Sequence, residues 1–270
     1  FKQKTAYEIM PSLVGSEMCI RDRSSVALAI NTSDLEVRYG DTLAVAGVDL
    51  EVPKGSLLSV IGPNGAGKSA LLNALAGTVE PTRGSATVEG KTPALVLQAT
   101  DVDRSLPITV REVVSLARYS ERGFFGRMRA TDREVVAKSL ERLNIQHLAS
   151  RQFHELSGGE RQRALVAQGL AQEADVLLLD EPISGLDIVS RSLILEVINE
   201  ETAEGRTVVI TTHSLEDAQR SDQVLLLCTR PCCVGNPEEV LTEEHLRDAF
   251  GGQHIRVGQN LVLDDPHHSH

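Results

Sequence analysis

The chain has 270 residues, with 27 Lys and Arg against 38 Asp and Glu, a formal net charge of −11 and 41% hydrophobic residues. This composition predicts a folded, globular, acidic protein and excludes an intrinsically disordered one. The longest apolar runs hold only a few residues, too few to span a bilayer. The negative charge argues against a broad nucleic-acid-binding surface, and four Cys without paired CxxC spacing favour a reducing compartment.

Residues 1–23 show no helical or strand periodicity and do not join smoothly to the residues after them. Within them, Lys2 to Ile9 and Leu13 to Arg23 resemble translated sequencing-library adapters. We interpret this segment as a non-native, adapter-derived extension, with a natural N-terminal segment as the alternative. It lacks the continuous apolar region of a signal peptide. The functional domain is expected to occupy residues 24–270.

From Leu35 onward, strand and helix patterns alternate along the chain. Strands are predicted around Leu35 to Tyr39, Val48 to Val52, Leu57 to Ile61, Val176 to Leu179, Thr207 to Thr211 and Val224 to Leu227. Helices are predicted at Lys68 to Ala76, near Ile188 to Glu204 and at Ser214 to Arg220. This alternation predicts a parallel α/β sheet, with a mostly helical block, about residues 100–171, inserted into it.

The loop between the third strand and the first helix satisfies the pattern G-x-x-x-x-G-K-[ST]. Its backbone N–H groups and the helix N-terminus are suited to cradle phosphates. Lys68 is expected to reach the β and γ phosphates of a nucleotide, and Ser69 to ligate Mg²⁺. The predicted nucleotide-binding residues of this loop are Gly62, Pro63, Asn64, Gly65, Ala66, Gly67, Lys68, Ser69 and Ala70.

Two adjacent carboxylates come directly after the buried strand Val176 to Leu179. Asp180 fits the role of holding Mg²⁺. Glu181, expected to point the other way in an extended chain, is placed to orient or deprotonate the water that attacks the γ phosphate. The alternative is a strand that simply meets a polar turn, which the phosphate-binding loop upstream disfavours.

A second glycine-containing helix start stands further along the chain, at Leu156, Ser157, Gly158, Gly159 and Glu160. Ser157 is suited to cap this helix, and the two glycines offer N–H groups to an anion. The first loop is already expected to hold the phosphates of this subunit's nucleotide. We therefore interpret the second helix start as a binding site for the nucleotide of another subunit.

With these three elements, the chain resembles the ATPase subunit of an ATP-binding cassette (ABC) transporter over about Leu35 to Phe250. The resemblance implies a P-loop NTPase (RecA-like) core with an antiparallel β subdomain and an inserted α-helical subdomain. It also implies ATP and Mg²⁺ as ligands. In a homodimer, ATP would lie between the P-loop of one subunit and Leu156 to Glu160, the family signature, of the other.

The resemblance implies further roles. Tyr39 matches the aromatic that stacks on adenine, with an ordinary strand tyrosine as the alternative. Gln98 matches the Q-loop glutamine that contacts Mg²⁺ and the attacking water, and His213 matches the switch histidine that contacts the γ phosphate. The expected catalytic set is thus Glu181, His213 and Gln98. The D-loop that crosses the dimer interface corresponds to Ser184, Gly185, Leu186 and Asp187.

Three departures from the family pattern leave this catalytic set intact. Ala70 stands where threonine is usual, and the interval from Lys68 to Gln98 is shorter than usual. Gln168 and Gly169 stand where Arg and Ala are common in the signature helix. A glycine in a helix interior costs about 1 kcal/mol relative to Ala.

The finer resemblance is to the manganese/zinc-type branch of metal importers. It implies a peripheral subunit on the cytoplasmic face of the cell membrane that powers a membrane permease, with an extracytoplasmic metal-binding protein in the same system and no nucleic-acid partner. One alternative is an importer of haem or an iron chelate. Another is a soluble ABC ATPase that acts on DNA or ribosomes, which the single cassette and the short interval from Lys68 to Leu156 disfavour.

Three leftover features have competing interpretations. Phe124 and Phe125, near Tyr119 in an Arg-rich break, are either a permease anchor or a pin for their own loop. Cys232 and Cys233 are expected to be structural rather than redox-active. The His-rich tail, residues 264–270, is either solvated or a zinc ligand through His267, His268 and His270.

Overall fold

The computed structural model describes residues 27–98, 107–119 and 128–250, together with the backbone strands His254–Val257 and Asn260–Leu263. The predicted extension at residues 1–23, the Phe124 and Phe125 pair and the His-rich tail lie outside the described residues. Within the described part of the chain, none of the helices is both long and apolar enough to cross a membrane.

Strands and helices alternate along most of the described chain. The strands are β1 (Leu28–Tyr39), β2 (Thr42–Pro53), β3 (Leu57–Ile61), β4 (Arg83–Val88), β5 (Ala94–Val96), β6 (Val176–Leu179), β7 (Thr207–Thr212), β8 (Gln223–Cys228), β9 (Arg230–Gly235), β10 (His254–Val257) and β11 (Asn260–Leu263). The α-helices are α1 (Lys68–Leu75), α2 (Val110–Leu116), α3 (Ala130–Arg142), α4 (Gly158–Ala171), α5 (Ile188–Ala203), α6 (Leu215–Ala218), α7 (Pro237–Val240) and α8 (Glu243–Phe250). Two short 3₁₀ turns, Gln146–Leu148 and Phe153–Glu155, precede α4.

The main sheet has the strand order β5-β6-β7-β3-β8-β9. Its first five strands run parallel, and β9 pairs with β8 in the antiparallel sense. A second sheet, of order β2-β1-β4, is antiparallel. The predicted α/β fold with an antiparallel β sheet is therefore confirmed.

Alternate residues of the parallel strands pack against different layers, as the two-residue period of a strand requires. In β6, Val176 and Leu178 belong to the hydrophobic cluster that contains α1 and the antiparallel sheet. Leu177 and Leu179 belong to a second cluster, which contains α2, α3, α4 and part of α5. Both faces of the parallel sheet are thus buried, and this explains why β6 is apolar at every position.

Gly169 allows α4 to approach the edge of this sheet closely. A Cβ atom at position 169 would lie 2.5 Å from Cγ2 of Val96 in β5 and 3.0 Å from Cδ1 of Leu177 in β6. Both side chains are buried. The glycine that costs helix propensity is therefore required by packing, which the sequence pattern alone did not show.

Several boundaries differ from the sequence-based expectation. The strands β1 and β2 are longer than predicted, because the first half of β1 also pairs with β4, for example through Ile30 and Val88. The helix predicted at Ser214 to Arg220 is confined to α6, since the N–H group of Asp222 already pairs with the carbonyl of Leu57 as β8 begins. Cys232 and Cys233 lie within β9, which is not among the predicted strands.

Replacing Gly169 by Ala tests the close approach of α4. The added methyl gains about 1 kcal/mol of helix propensity, but its overlap with Val96 costs about 1–3 kcal/mol in a packed core. We therefore expect Gly169→Ala to lower the free energy of unfolding in urea. In the double variant with Val96→Ala, the loss should be smaller than the sum of the two single losses. Additive losses would contradict this packing account.

Candidate active site

Four segments with chemically active residues end at one edge of the parallel sheet, because the neighbouring strands are in register. Val96 of β5 pairs with Leu179 of β6, and Ile61 of β3 pairs with Thr212 of β7. The residues one to two positions after the ends of these strands share the carboxyl edge, the usual ligand-binding edge of such sheets. They are Gln98 after β5, Asp180 and Glu181 after β6, His213 after β7 and the loop from Gly62 after β3.

Two glycines of the phosphate-binding loop are required by close backbone approaches. A Cβ atom at Gly62 would lie 2.0 Å from the carbonyl oxygen of Leu227, and one at Gly67 would lie 2.1 Å from that of Ala44. Gly67 also has a φ of +95°, which L side chains rarely adopt. Because both obstructing atoms are backbone atoms, no side-chain rotation could relieve the overlap.

The Lys68 side chain is folded back over this loop. Its Nζ atom donates hydrogen bonds to the carbonyl oxygens of Gly62, at 2.8 Å, and Pro63, at 3.2 Å. Lys68 is buried, whereas the neighbouring Ser69 is exposed. The loop thus carries a buried positive charge next to an accessible hydroxyl group, a combination suited to phosphate and to a hard cation.

The turn after β8 is hydrogen-bonded to the phosphate-binding loop. The N–H group of Thr229 donates to the carbonyl of Ala66 at 2.9 Å, and the carbonyl of Thr229 accepts from the N–H group of Ala46 at 2.8 Å. Thr229 has a φ of +65°. These bonds tie the phosphate-binding loop to β2. Thr229 belongs to no recognisable motif, so its supporting role could not be predicted from a sequence pattern.

Thr211 connects the two carboxylate residues after β6. Its hydroxyl group donates to Oδ1 of Asp180 at 2.6 Å and accepts from the N–H group of Glu181 at 2.8 Å. Thr211 is fully buried and Asp180 nearly so. Thr211 is not among the predicted site residues, although it lies two residues before His213.

Glu181 departs from the expected extended conformation. Its φ is +46°, in the left-handed region that few residues other than glycine adopt. The Glu181 side chain was expected to point away from Asp180 because the chain would be extended there. The chain is not extended at Glu181, so the stated reason is wrong. The backbone turns at Glu181, and the bond from its N–H group to Thr211 holds that turn.

The Glu181 side chain lies beside His213. Oε1 of Glu181 is 3.6 Å from Nδ1 of His213, and Nε2 of His213 is 3.3 Å from the hydroxyl of Ser184. The neighbouring His213 is the main cause that lowers the pKa of Glu181, with the charge of Lys68 adding to the effect and burial opposing it. Glu181 is therefore a carboxylate at neutral pH.

Gln98 and Tyr39 are both exposed. Gln98 comes shortly after β5, whose Val96 carbonyl accepts from the N–H group of Asp180 at 2.8 Å. Tyr39 ends β1, where it pairs with Thr42 at the tip of the β1–β2 hairpin. The same hairpin carries Ala44, which touches the phosphate-binding loop, so both side chains stand on segments that border the loop or the carboxylates.

Ser157 caps α4 as predicted. Its hydroxyl accepts from the N–H group of Glu160 at 3.3 Å, and the Glu160 carboxylate accepts from the N–H group of Ser157 at 2.8 Å. The bonds from Ser157 lower the pKa of Glu160. A Cβ atom at Gly158 would meet nothing within 4 Å. The exposed N-terminus of α4 is therefore open to an anion from outside.

The signature segment is packed against the D-loop of the same chain. A Cβ atom at Gly159 would lie 2.5 Å from Oγ of Ser190 and 2.7 Å from Oδ2 of Asp187. Asp187 caps α5 by accepting from the N–H group of Ser190 at 2.9 Å and from its hydroxyl at 2.7 Å. These bonds lower the pKa of Asp187. Two segments that the sequence placed at a dimer interface thus lie side by side within one subunit.

The family model described as "ABC transporter" matches residues 45–184, so this chain belongs to the ABC transporter family. The matched range contains the phosphate-binding loop, the signature and both carboxylates after β6. The chain is an ATP-hydrolysing subunit of such a transporter.

The chain is similar to proteins of several metal transport systems. The manganese transport system ATP-binding protein MntA of Synechocystis sp. is 35% identical over 236 residues, which are 83% of this chain and 91% of that protein. The chelated iron transport system membrane protein YfeB of Yersinia pestis is 34% identical over 218 residues, 76% of this chain and 74% of that protein. A solved chain from a metal-chelate type ABC transporter in an inward-facing conformation is 29% identical, with a TM-score of 0.77 over 87% of this chain and 95% of that chain.

Replacing Thr211 by Val tests the bridge between the carboxylate residues. Val has the same shape but leaves Oδ1 of Asp180 and the N–H group of Glu181 without their hydroxyl partner, so we expect unfolding in urea to require about 2 kcal/mol less. ATP hydrolysis should fall as well. Thr211→Ser keeps the hydroxyl and is the control: it should lose only the packing of one methyl, about 1 kcal/mol, and retain most of the hydrolysis. Equal loss of activity in both variants would contradict the bridging role.

Proposed function

We propose that this chain hydrolyses ATP to power the import of a divalent metal ion of the manganese/zinc type through a membrane permease. The observation that carries the proposal is the similarity, over 83% of the chain, to the manganese transport protein of Synechocystis. Similarity to the chelated-iron protein of Yersinia pestis supports an iron chelate as a second candidate cargo.

In this proposal the phosphate-binding loop and Lys68 hold the phosphates of ATP, and Tyr39 stacks on the adenine. Hydroxyl, carboxylate and amide oxygens are ligands that Mg²⁺ prefers. The accessible hydroxyl of Ser69 and the carboxylate of Asp180 therefore fit a Mg²⁺ ion beside the phosphates, with Gln98 as a further ligand. When bound, the ion would neutralise charge on the phosphate oxygens.

Glu181 is better suited to orient the attacking water than to remove its proton. Its lowered pKa keeps the side chain ionised and makes it a weak base. Transfer of a phosphoryl group through a loose transition state needs positioning more than early proton removal. His213, which lies near both Glu181 and Ser184, would hold the carboxylate in place.

Two subunits would complete the nucleotide sites. The open N-terminus of α4 at Gly158 is available to the phosphates of a nucleotide bound by a partner subunit. Ile188 and Val189, directly after the D-loop, are 86% and 65% exposed. Apolar side chains that are so exposed next to the D-loop favour a surface that a second copy covers.

The permease would dock near the Q-loop. Leu97, Leu116 and Tyr119 are large, exposed apolar side chains that flank the two undescribed stretches, residues 99–106 and 120–127. The second stretch contains Phe124 and Phe125. A position on the cytoplasmic face of the membrane and an extracytoplasmic metal-binding protein complete the proposal.

Replacing Glu181 by Gln removes its charge while preserving its shape. We expect ATP binding to persist and hydrolysis to fall by about 10²-fold, the scale of a positioned catalytic group. Phosphate release by the purified protein measures the effect. Glu196→Gln makes the same change on the exposed side of α5 and should hydrolyse ATP at the wild-type rate. Near-normal turnover in Glu181→Gln would contradict the assignment.

The same variant provides a test of the dimer. Glu181→Gln should form an ATP-dependent dimer in size-exclusion chromatography, because bound ATP is not consumed. Adding Gly158→Asp places a negative charge at the open helix N-terminus, where a side chain meets no neighbour. This second change should leave the melting temperature unchanged and abolish the dimer. A dimer that persists would rule out the signature as the contact to the partner's nucleotide.

Uptake into membrane vesicles tests the cargo. The vesicles should contain this chain together with a candidate multi-spanning permease and metal-binding protein, to be sought among its neighbouring genes. ATP-dependent uptake of Mn²⁺ that is lost with Glu181→Gln supports the proposal. Uptake of a ferric chelate without uptake of Mn²⁺ would favour the second candidate. ATP hydrolysis without uptake of either metal would contradict both.

A further inference from the structure

Two cysteine thiols meet across the turn that joins β8 to β9. Sγ of Cys228, the last residue of β8, lies 2.7 Å from Sγ of Cys232 in β9. Cys232 is exposed and Cys228 is partly buried. The pairing of β8 with β9 shifts register between Leu226 and Leu227, which leaves room for this contact. Adjacency in the sequence pairs Cys232 with Cys233, whereas the structure brings Cys232 to Cys228.

Cys233 is not part of the contact. Cys233 pairs with Leu226 across the ladder and, like Cys228, packs against the hydrophobic cluster that contains Val240 and Leu246. In contrast, Cys232 is the extra residue at the register shift and has no paired residue in β8. Cys232 instead faces solvent and Cys228. The geometry therefore selects one pair out of the three thiols of this segment.

The distance between the two sulfur atoms fits covalent pairing and not metal binding. Two thiolates that share a tetrahedral zinc ion, each at about 2.3 Å from the metal, are roughly 3.8 Å apart. In addition, no group of three His, Cys, Asp or Glu side chains that could hold a metal exists in the ranges that the structure describes. A disulfide needs only a small further approach of the two sulfurs.

The same turn contacts the phosphate-binding loop on both sides of Cys228. The Leu227 carbonyl packs directly against Gly62, and the N–H group of Thr229 donates to the carbonyl of Ala66 at 2.9 Å. A change at Cys228 therefore acts on residues that support the nucleotide site.

The environments of the thiols set an order of reaction. Burial, together with the neighbouring Cys232, raises the pKa of Cys228 to about 12. Burial also raises the pKa of Cys233. Cys232 is the exposed member of the pair, so it is the thiol that a solvent-borne oxidant meets first.

We propose that Cys228 and Cys232 form a reversible disulfide by exchange with a low-molecular-weight disulfide, and that closure of this bond weakens nucleotide binding. The Cys232 thiolate, its proton lost to solvent, attacks one sulfur of the small disulfide. A mixed disulfide forms, and one small thiolate leaves. Cys228 then loses its proton to solvent and attacks Sγ of Cys232, which expels the second small thiolate. Two protein thiols are oxidised by two electrons, and the small disulfide is reduced to two thiols.

The position of Thr229 explains why nucleotide binding would weaken. The thiol of Cys228 now lies 3.8 Å from the carbonyl of Ala249, a weak contact that disulfide formation removes. In this proposal the disulfide geometry pulls on the backbone at Cys228 as well as on its side chain, and the next peptide N–H group, that of Thr229, is the one that donates to the carbonyl of Ala66. Loss of one such bond corresponds to an increase of about twofold to tenfold in the KM for ATP.

The first experiment detects the chemistry by mass and needs neither hydrolysis nor transport, so its failure is distinct from failure of the proposed function. The full chain, carrying Cys19→Ser, is treated with oxidised glutathione, alkylated and analysed by fragmentation mass spectrometry. We expect the loss of two hydrogens, located to Cys228 and Cys232 and reversed by dithiothreitol. The Cys233→Ser control should behave in the same way.

Single variants separate the two steps of the exchange. Cys228→Ser should accumulate a glutathione adduct on Cys232, whereas Cys232→Ser should remain unmodified at Cys228. Because Cys232 is exposed, its variant should fold even if Cys228→Ser does not. A bond between Cys232 and Cys233, a cross-link between chains, or a stable adduct in the protein that retains both Cys228 and Cys232 would overturn the proposal.

The second experiment measures the KM for ATP before and after oxidation. We expect the KM to rise about twofold to tenfold for the protein with both cysteines and for Cys233→Ser, and to stay unchanged for Cys232→Ser. An unchanged KM in a protein whose disulfide is shown by mass would overturn the link to the phosphate-binding loop.

Discussion

The register of the parallel strands is the constraint on which the whole site depends. Pairing of Val96 with Leu179, and of Ile61 with Thr212, brings the ends of four strands to one edge. A slip of one residue in either pairing would turn the next side chain to the opposite face of the sheet. The buried, wholly apolar strands resist such a slip, because both of their faces are packed. Packing in the core thereby fixes the positions of polar residues outside it.

Neutral groups hold the charged groups of the site in place. Backbone carbonyls hold the Lys68 ammonium, and the hydroxyl of Thr211 joins the carboxylate of Asp180 to the backbone of Glu181. Such bonds hold each charged group in a fixed orientation. His213 then lowers the pKa of Glu181, which keeps that side chain a carboxylate at neutral pH. The turn at Thr229 supports the phosphate-binding loop through its hydrogen bond to Ala66. Cys228, next to Thr229, is one of the two thiols in the proposed disulfide.

The helices between β5 and β6 are joined to the sheet by a shared core. Their buried side chains belong to the same hydrophobic cluster as those of β5 and β6, and Gly169 lets α4 lie directly on that edge. Arg142 of α3 adds ion pairs to Glu200, at 2.7 Å, and to Glu201 of α5. Because protein interiors are close-packed, a displacement of α4 would also move β6, the strand that Asp180 directly follows.

The sequence by itself determined what depends on neighbours along the chain. The glycine-rich loop, the helix cap at Ser157 and the apolar run of β6 are local, and the structure has β6 with the predicted bounds. Tertiary structure decided what depends on residues far apart in sequence. The left-handed turn at Glu181 is held by Thr211, the glycine at position 169 is explained by the nearby side chains of Val96 and Leu177, and the partner of Cys232 depends on the shifted register of β8 and β9. A local sequence pattern does not predict such contacts, because each contact forms only when segments that are distant in the sequence pack together.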